Sequence, residues 1–214
     1  MTTTGRLAVQ EDPLCRWKRL SVFQNGFHYG SQQYAFEDIE YIEFQGFAIN
    51  VSVNLLPAGT DYEAHLKITL TGGRGTVRAD FNGSITKWPL ASAKGKAERV
   101  CAVYTEIAQR SFEHRMRKYV NSLKDYGYFM YDGAKFYPDG KVTSGHKEGK
   151  IGVHELCMLD STLLVQIPGP NGRPAGLFRQ ILSGDPKIYV EVQKDRDCFD
   201  MLLRTMYGLS ITDL

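Results

Sequence analysis

The chain has 214 residues, of which 43 % are hydrophobic and 23 % charged, and its formal net charge is +2. That is the balance of a globular protein holding one large domain or two small ones, and near-neutrality excludes polyanion binding by brute charge. No run approaches the roughly 18 apolar residues of a membrane span, and the opening Met1-Thr-Thr-Thr-Gly5 has no signal-like apolar stretch, so a cytoplasmic location is expected unless a dedicated export route reads another signal.

Residues 1–13 are Thr-rich and then polar, end in Asp12-Pro13, and read as a flexible arm. A strand is expected over 14–23. Gln24-Asn25-Gly26 supplies a tight turn because Asn-Gly tolerates positive φ. Short strands follow at 27–29 and 33–36. Phe36, Ile39, Ile42 and Phe44 begin with a spacing of three and end with one of two, as a turn entering a strand would. Residues 48–56 read as another strand. A hairpin joins 65–70 to 76–81 around Gly72-Gly73-Arg74-Gly75, with Leu66, Ile68 and Leu70 alternating as on a half-buried strand. Those glycines lack the spacing of a phosphate-cradling loop, and no helix follows them. Trp88-Pro89 and 91–95 read as a loop.

From 97 to 124 there is neither Gly nor Pro, and Val100, Val103, Ile107, Phe112, Met116, Tyr119 and Leu123 recur at helical steps. The spacing predicts a helix of about 40 Å, longer than one small sheet needs, ended by Gly127. Strand-like segments then restart at 128–131 and 135–137, separated by Asp132-Gly133 and closed by Pro138-Asp139-Gly140. Residues 145–150 read as a charged loop, 151–153 and 163–167 as strands, 168–176 as an irregular loop, and 177–182 and 187–192 as strands. Asp195 is the expected N-cap of a last helix striped by Phe199, Leu202, Leu203 and Met206 and stopped by Gly208.

Strands ending in one helix thus occur twice. The fold class expected is mainly β with α (α+β), with one domain over 14–126 and a shorter one over 127–214. The stretch Leu20-Ser-Val-Phe-Gln-Asn-Gly-Phe-His-Tyr-Gly30, followed by Tyr34-Ala-Phe-Glu-Asp-Ile-Glu-Tyr-Ile42, resembles the opening of bacterial pleckstrin-homology-like domains. The resemblance covers about half the chain and is looser in the second half. It implies two curved antiparallel barrels of strands, each closed by a C-terminal helix. Closure of that kind buries one sheet face and hides the edges.

Chemistry-bearing motifs are sparse. The histidines at 28, 65, 114, 146 and 154 form no HExxH, His154-Glu155 followed by Cys157 is a poor metal spacing, and no GxSxG elbow is present. Cys15, Cys101, Cys157 and Cys198 are scattered and read as buried small hydrophobes. No metal, cofactor or catalytic residue is expected. Two basic clusters remain. Arg110, Arg115, Arg117 and Lys118 lie where eight Lys/Arg face three Glu between Lys94 and Lys124. They read as dipole-matching, solubilising cations or as a face for an anionic ligand or acidic partner. Arg16, Lys18 and Arg19 surround Trp17. Phosphoinositide-binding members of the family place cations around the first strand–turn–strand, and here Gln24-Asn25-Gly26 carries none. One aromatic with three cations is too little for a nucleic-acid surface.

The leading functional reading is a non-enzymatic binding or scaffolding protein with a protein partner or itself as a homo-oligomer. The alternative is peripheral attachment to anionic lipid, or anionic-ligand binding, through the basic helix face. An enzyme with a dispersed site is the third reading.

Overall fold

The structure, a computed structural model, describes residues 12–53, 56–86, 91–152, 156–159, 161–166 and 187–214. The expected strand at 177–182, the loop at 168–176, Trp88-Pro89, His154 and most of the N-terminal arm lie outside them. The protein is α+β, with antiparallel sheets and two α-helices among the described residues. None of the four sheets among those residues closes into a barrel.

The first sheet is a meander of β1 (Cys15–Trp17), β2 (Leu20–Phe23), β3 (Gly26–Tyr29) and β4 (Gln32–Ala35). The single strand expected over 14–23 is two strands folded at Lys18-Arg19. The turn is tight, with Lys18 in the left-handed region (φ 51) and the amide of Gly30 donating to the Arg19 carbonyl at 2.8 Å. The second sheet holds β5 (Ile39–Val53), β6 (Leu56–Leu70) and β7 (Thr76–Thr86) in that order. Ala64, Leu66, Ile68 and Leu70 of β6 are buried, as are Val77, Ala79 and Phe81 of β7, so both strands alternate as period-two patterning requires. Helix α1 (Ala91–Tyr126) follows and starts earlier than the spacing predicts.

The pattern then recurs. A four-stranded meander is made of β8 (Phe129–Tyr131), β9 (Ala134–Phe136), β10 (Lys141–Ser144) and β11 (Lys147–Lys150). A three-stranded sheet is made of β12 (Leu156–Leu159), β13 (Thr162–Gln166) and β14 (Lys187–Glu191), and helix α2 (Arg196–Tyr207) comes after it. Residues 145–150 are not the loop expected. Lys147–Lys150 is an edge strand whose Lys, Glu and Lys side chains face solvent while Gly149 is buried, and Val142 of its partner supplies the apolar contact.

Two compact units emerge. One is Met1–Ile39 with Gln45–Arg110, and the other is Glu40–Phe44 with Ser111–Leu214. The first unit buries Trp17, Leu20, Val22 and Phe27 of the meander, and Val100, Val103 and Ile107 of α1. Trp17 meets Phe81 edge-on at 5.8 Å. The second unit packs an aromatic core around Phe199. Its ring stacks on Tyr131 at 4.0 Å and meets Phe136 edge-on at 5.3 Å, while Phe129 stacks on Phe136 at 5.0 Å. Phe112, Met116, Tyr119 and Leu123 of α1 pack against this core. Gly208 ends α2 in the left-handed conformation (φ 69), its amide donating to the Arg204 carbonyl.

Candidate functional site

In the first unit, the register of the meander places Arg16 opposite Ser21 and Ser21 opposite His28, one row across three strands. Leu20 and Val22 point to the core, so Arg19, Ser21 and Phe23 share the outward side of β2 and its turn. A cleft of about 440 Å³ opens over this row. Arg16, Lys18 and Arg19 line it together with Ser21, Phe23 and His28. Gly30 forms part of the wall beside Arg19, and Asp12-Pro13 forms another part.

The charges in the cleft are unneutralised at short range. Among the described residues, none of Arg16, Lys18 and Arg19 makes an ion pair with a carboxylate. Arg16 Nε donates to the Lys18 carbonyl at 3.3 Å, which holds its guanidinium toward the turn. Lys18 Nζ donates to the Asp80 carbonyl at 3.3 Å and lies 5.3 Å from the Trp17 ring centre. Arg19 lies 5.8 Å from the Tyr29 ring centre. A Cβ at Gly30 would come within 3.2 Å of the Arg19 guanidinium, so glycine there gives that side chain its room. Phe23 and His28 form a ring pair with centroids 4.4 Å apart. Cations therefore gather at the turn end and an aromatic pair stands at the other, with Asp12 the carboxylate in the lining.

The helix cations have a different fate. Arg110 belongs to the first unit, where it bridges Glu106 at 2.9 Å and donates to the Gln24 carbonyl. Arg115 is not a surface group. It is 1 % exposed in the second unit, forks onto Asp197 at 2.6 and 2.8 Å, and reaches Asp195 Oδ1 at 2.9 Å. Lys118 Nζ binds Asp195 Oδ2 at 2.6 Å and the Glu40 carbonyl at 2.7 Å. Arg117 is exposed and makes no ion pair among the described residues. The structure thus brings Arg16, Lys18 and Arg19 together but does not assemble the four helix cations into one free face.

Asp195 occupies the expected N-cap position of α2, its carbonyl accepting from the Phe199 amide at 3.0 Å, but its side chain is the hub of the second cluster and does not cap the helix. Its φ of 46 is left-handed and its side chain makes no cap bond. Its carboxylate instead accepts from Arg115, Lys118, the Ile42 amide at 2.9 Å and the Tyr119 hydroxyl at 3.1 Å, and its own amide donates to the Ile42 carbonyl at 2.7 Å. Burial opposes the Arg115 charge, yet the Asp197 hydrogen bond and the surrounding acidic groups raise its pKa above the ordinary value. Burial, and then Asp195, raises that of Tyr119. Every strong group here is satisfied by another, the arrangement of a structural clasp.

Ser21, Phe23 and His28 escaped the sequence reading. The Asn25-Gly26 signal gives the wrong register, because a two-residue turn there would set Ser21 across from Gly30; Gln24-Asn25 make the turn instead, Phe23 pairs with Gly26, and Ser21 therefore faces His28. Arg16 was already a candidate, but its place across from Ser21 could not be read while 14–23 stood as one strand. Among the described residues, no three His, Cys, Asp or Glu side chains group as a metal site requires, and no described helix is long and apolar enough to cross a membrane. No known family, curated protein or solved structure matches the chain.

Proposed function

We propose that this chain is a non-enzymatic binding protein in which residues 14–126 and 127–214 are successive pleckstrin-homology-like modules serving as a scaffold for a protein partner, a second copy included. The observation that carries the reading is the repeated order of four strands, three strands and a helix among the described residues. The family is built from the same succession of seven strands and a C-terminal helix. Exposed Tyr126, Met130, Tyr189 and Met201 give the second unit apolar surface for such contacts. Light scattering on the eluting protein, with cross-linking and mass spectrometry of purified mixtures, tests it. Self-association or a stoichiometric complex is expected, and a strict monomer that recovers no partner defeats it.

A second reading, anionic-ligand binding, is favoured by the cleft at Arg16, Lys18 and Arg19. Three cations free of carboxylate partners at one end of a concavity make a local field that the whole-chain charge of +2 conceals. Equilibrium binding of inorganic phosphate at low salt tests this reading. Binding should weaken as salt screens the charges and disappear in a Lys18→Gln/Arg19→Gln double variant.

A further inference from the structure

We infer that the cleft of the first unit binds a phosphomonoester carried on a flat ring, a ligand of the mononucleotide class. The inference rests on the anion-binding reading and adds to it the identity of the body behind the anion.

The turn end of the cleft supplies the phosphate site. Guanidinium groups present planar forks that match phosphate oxygens, and Lys18 adds a point charge. The backbone there is held against its preference, because a left-handed lysine costs about 1–2 kcal/mol relative to the usual conformation. Tight turns ordinarily place Asn or Gly at such a position. A strained cation at the rim of a cleft is the kind of residue that binding sites retain. Ser21 stands next in the row with a hydroxyl able to donate or accept.

The other end supplies the ring site. Arg19 directly precedes the extended strand β2 and Phe23 ends it, so their backbone positions lie about 14 Å apart at most, room for the length of a mononucleotide. Phe23 and His28 form an aromatic pair at that end. An aromatic face accepts any base by stacking, which is worth about 1–3 kcal/mol per base when the side chain is truncated. The cleft volume of about 440 Å³ falls within the range typical of small-ligand sites, about 300–1,000 Å³. An inorganic anion alone would leave the aromatic end unused. Asp12 stands in the same lining and opposes a doubly charged phosphate.

The test is calorimetric titration of the full chain, at low salt, with adenosine 5′-monophosphate, inorganic phosphate, adenosine, and vesicles carrying a phosphoinositide. The nucleotide should bind saturably and about tenfold tighter than phosphate, and adenosine should bind weakly. Arg16→Gln and Arg19→Gln should each weaken nucleotide and phosphate about tenfold, the worth of one charge-assisted hydrogen bond. Phe23→Leu, which keeps apolar bulk, should erase the advantage of the nucleotide and leave phosphate unchanged. Asp12→Asn should tighten both, an effect no loss of folding produces, and Arg99→Gln on the exposed side of α1 should change neither. Phosphate binding with no gain for the nucleotide overturns the ring-bearing ligand while the anion reading survives. Vesicle attachment without nucleotide binding overturns it in favour of a lipid headgroup. If neither phosphate nor nucleotide binds, both inferences fall together.

Discussion

Arg115 and Asp195 show how one residue can be misread when its partner lies far along the chain. Arg115 stands among basic neighbours, which suggests a solvated helix face. The clue to its burial was its place in the run Ile107, Ser111, Arg115, Tyr119, where each fourth residue lies on one face and all four are buried. Asp195 lies 80 residues away, and no local pattern links the two. Replacing Arg115 with Met takes the guanidinium from Asp197 and leaves Asp195 to Lys118, Tyr119 and the Ile42 amide, and should cost about 3 kcal/mol in chemical denaturation, the low end of the penalty for removing one member of a buried ion pair. Arg117→Ala on the same helix should change stability by less than about 0.5 kcal/mol. Cys198 lies beside the cluster, where burial pushes its thiol up to about 12 despite the nearby Arg115 charge. At pH 8 it should resist iodoacetamide in the native protein and react once denaturant is added; rapid native alkylation would show that the pocket opens.

At the level of elements, period-two strands and the helical stripe were legible because each encodes its own burial. The β6–β7 hairpin follows directly from Leu66, Ile68 and Leu70, and the last helix follows from Phe199, Leu202 and Leu203. What escaped were elements whose polar side chains mask their geometry. Lys147–Lys150 is charged because it is an edge strand, and the start of α1 was hidden by Gly95, a residue that helices tolerate at a cost of about 1 kcal/mol. The meander offers a direct test of close strand approach. A Cβ at Gly26 would sit 2.3 Å from the Tyr34 carbonyl oxygen, a backbone atom that cannot step aside. Gly26→Ala should therefore force β3 and β4 apart and destabilise by about 1–3 kcal/mol, visible as a lower thermal midpoint. Phe199→Ala should cost more, about 3–5 kcal/mol, because the ring contacts Tyr131, Phe129 and Phe136 together.

Over the whole molecule, the recurrence of strands and then a helix could be read from turn residues and periodicity, whereas the recruitment of Glu40–Phe44 into the second unit could not. That unit is tied by contacts such as those between Ile42 and Asp195, which sequence spacing does not reveal. The cleft was legible as a basic cluster but not as a concavity, since depth arises from cross-strand register. Alkaline stability gives a global test. Tyr119 and Tyr131 titrate above the ordinary 10.0 in the folded state, first because burial penalises the phenolate and then because Asp195 is near. The folded protein therefore keeps protons that the unfolded chain releases above that value. Stability should fall as pH rises past 10, by about 1.4 kcal/mol per pH unit for each such tyrosine. The share of the phenolate absorbance that belongs to the buried tyrosines should then appear only together with loss of structure; ionisation of all tyrosines in a still-folded protein would contradict the burial.

The bond between Ile42 and Asp195 also constrains how the chain is made. The two partners are 153 positions apart, so at about 5–20 residues per second the ribosome delivers the second some 8–30 s after the first. Throughout that interval the strand segment Glu40–Phe44 has left the tunnel without the residue that will clasp it. The second unit can reach its native state only after Asp195 has been made, and a nascent chain stalled before it would hold an orphaned ribbon open to chaperones.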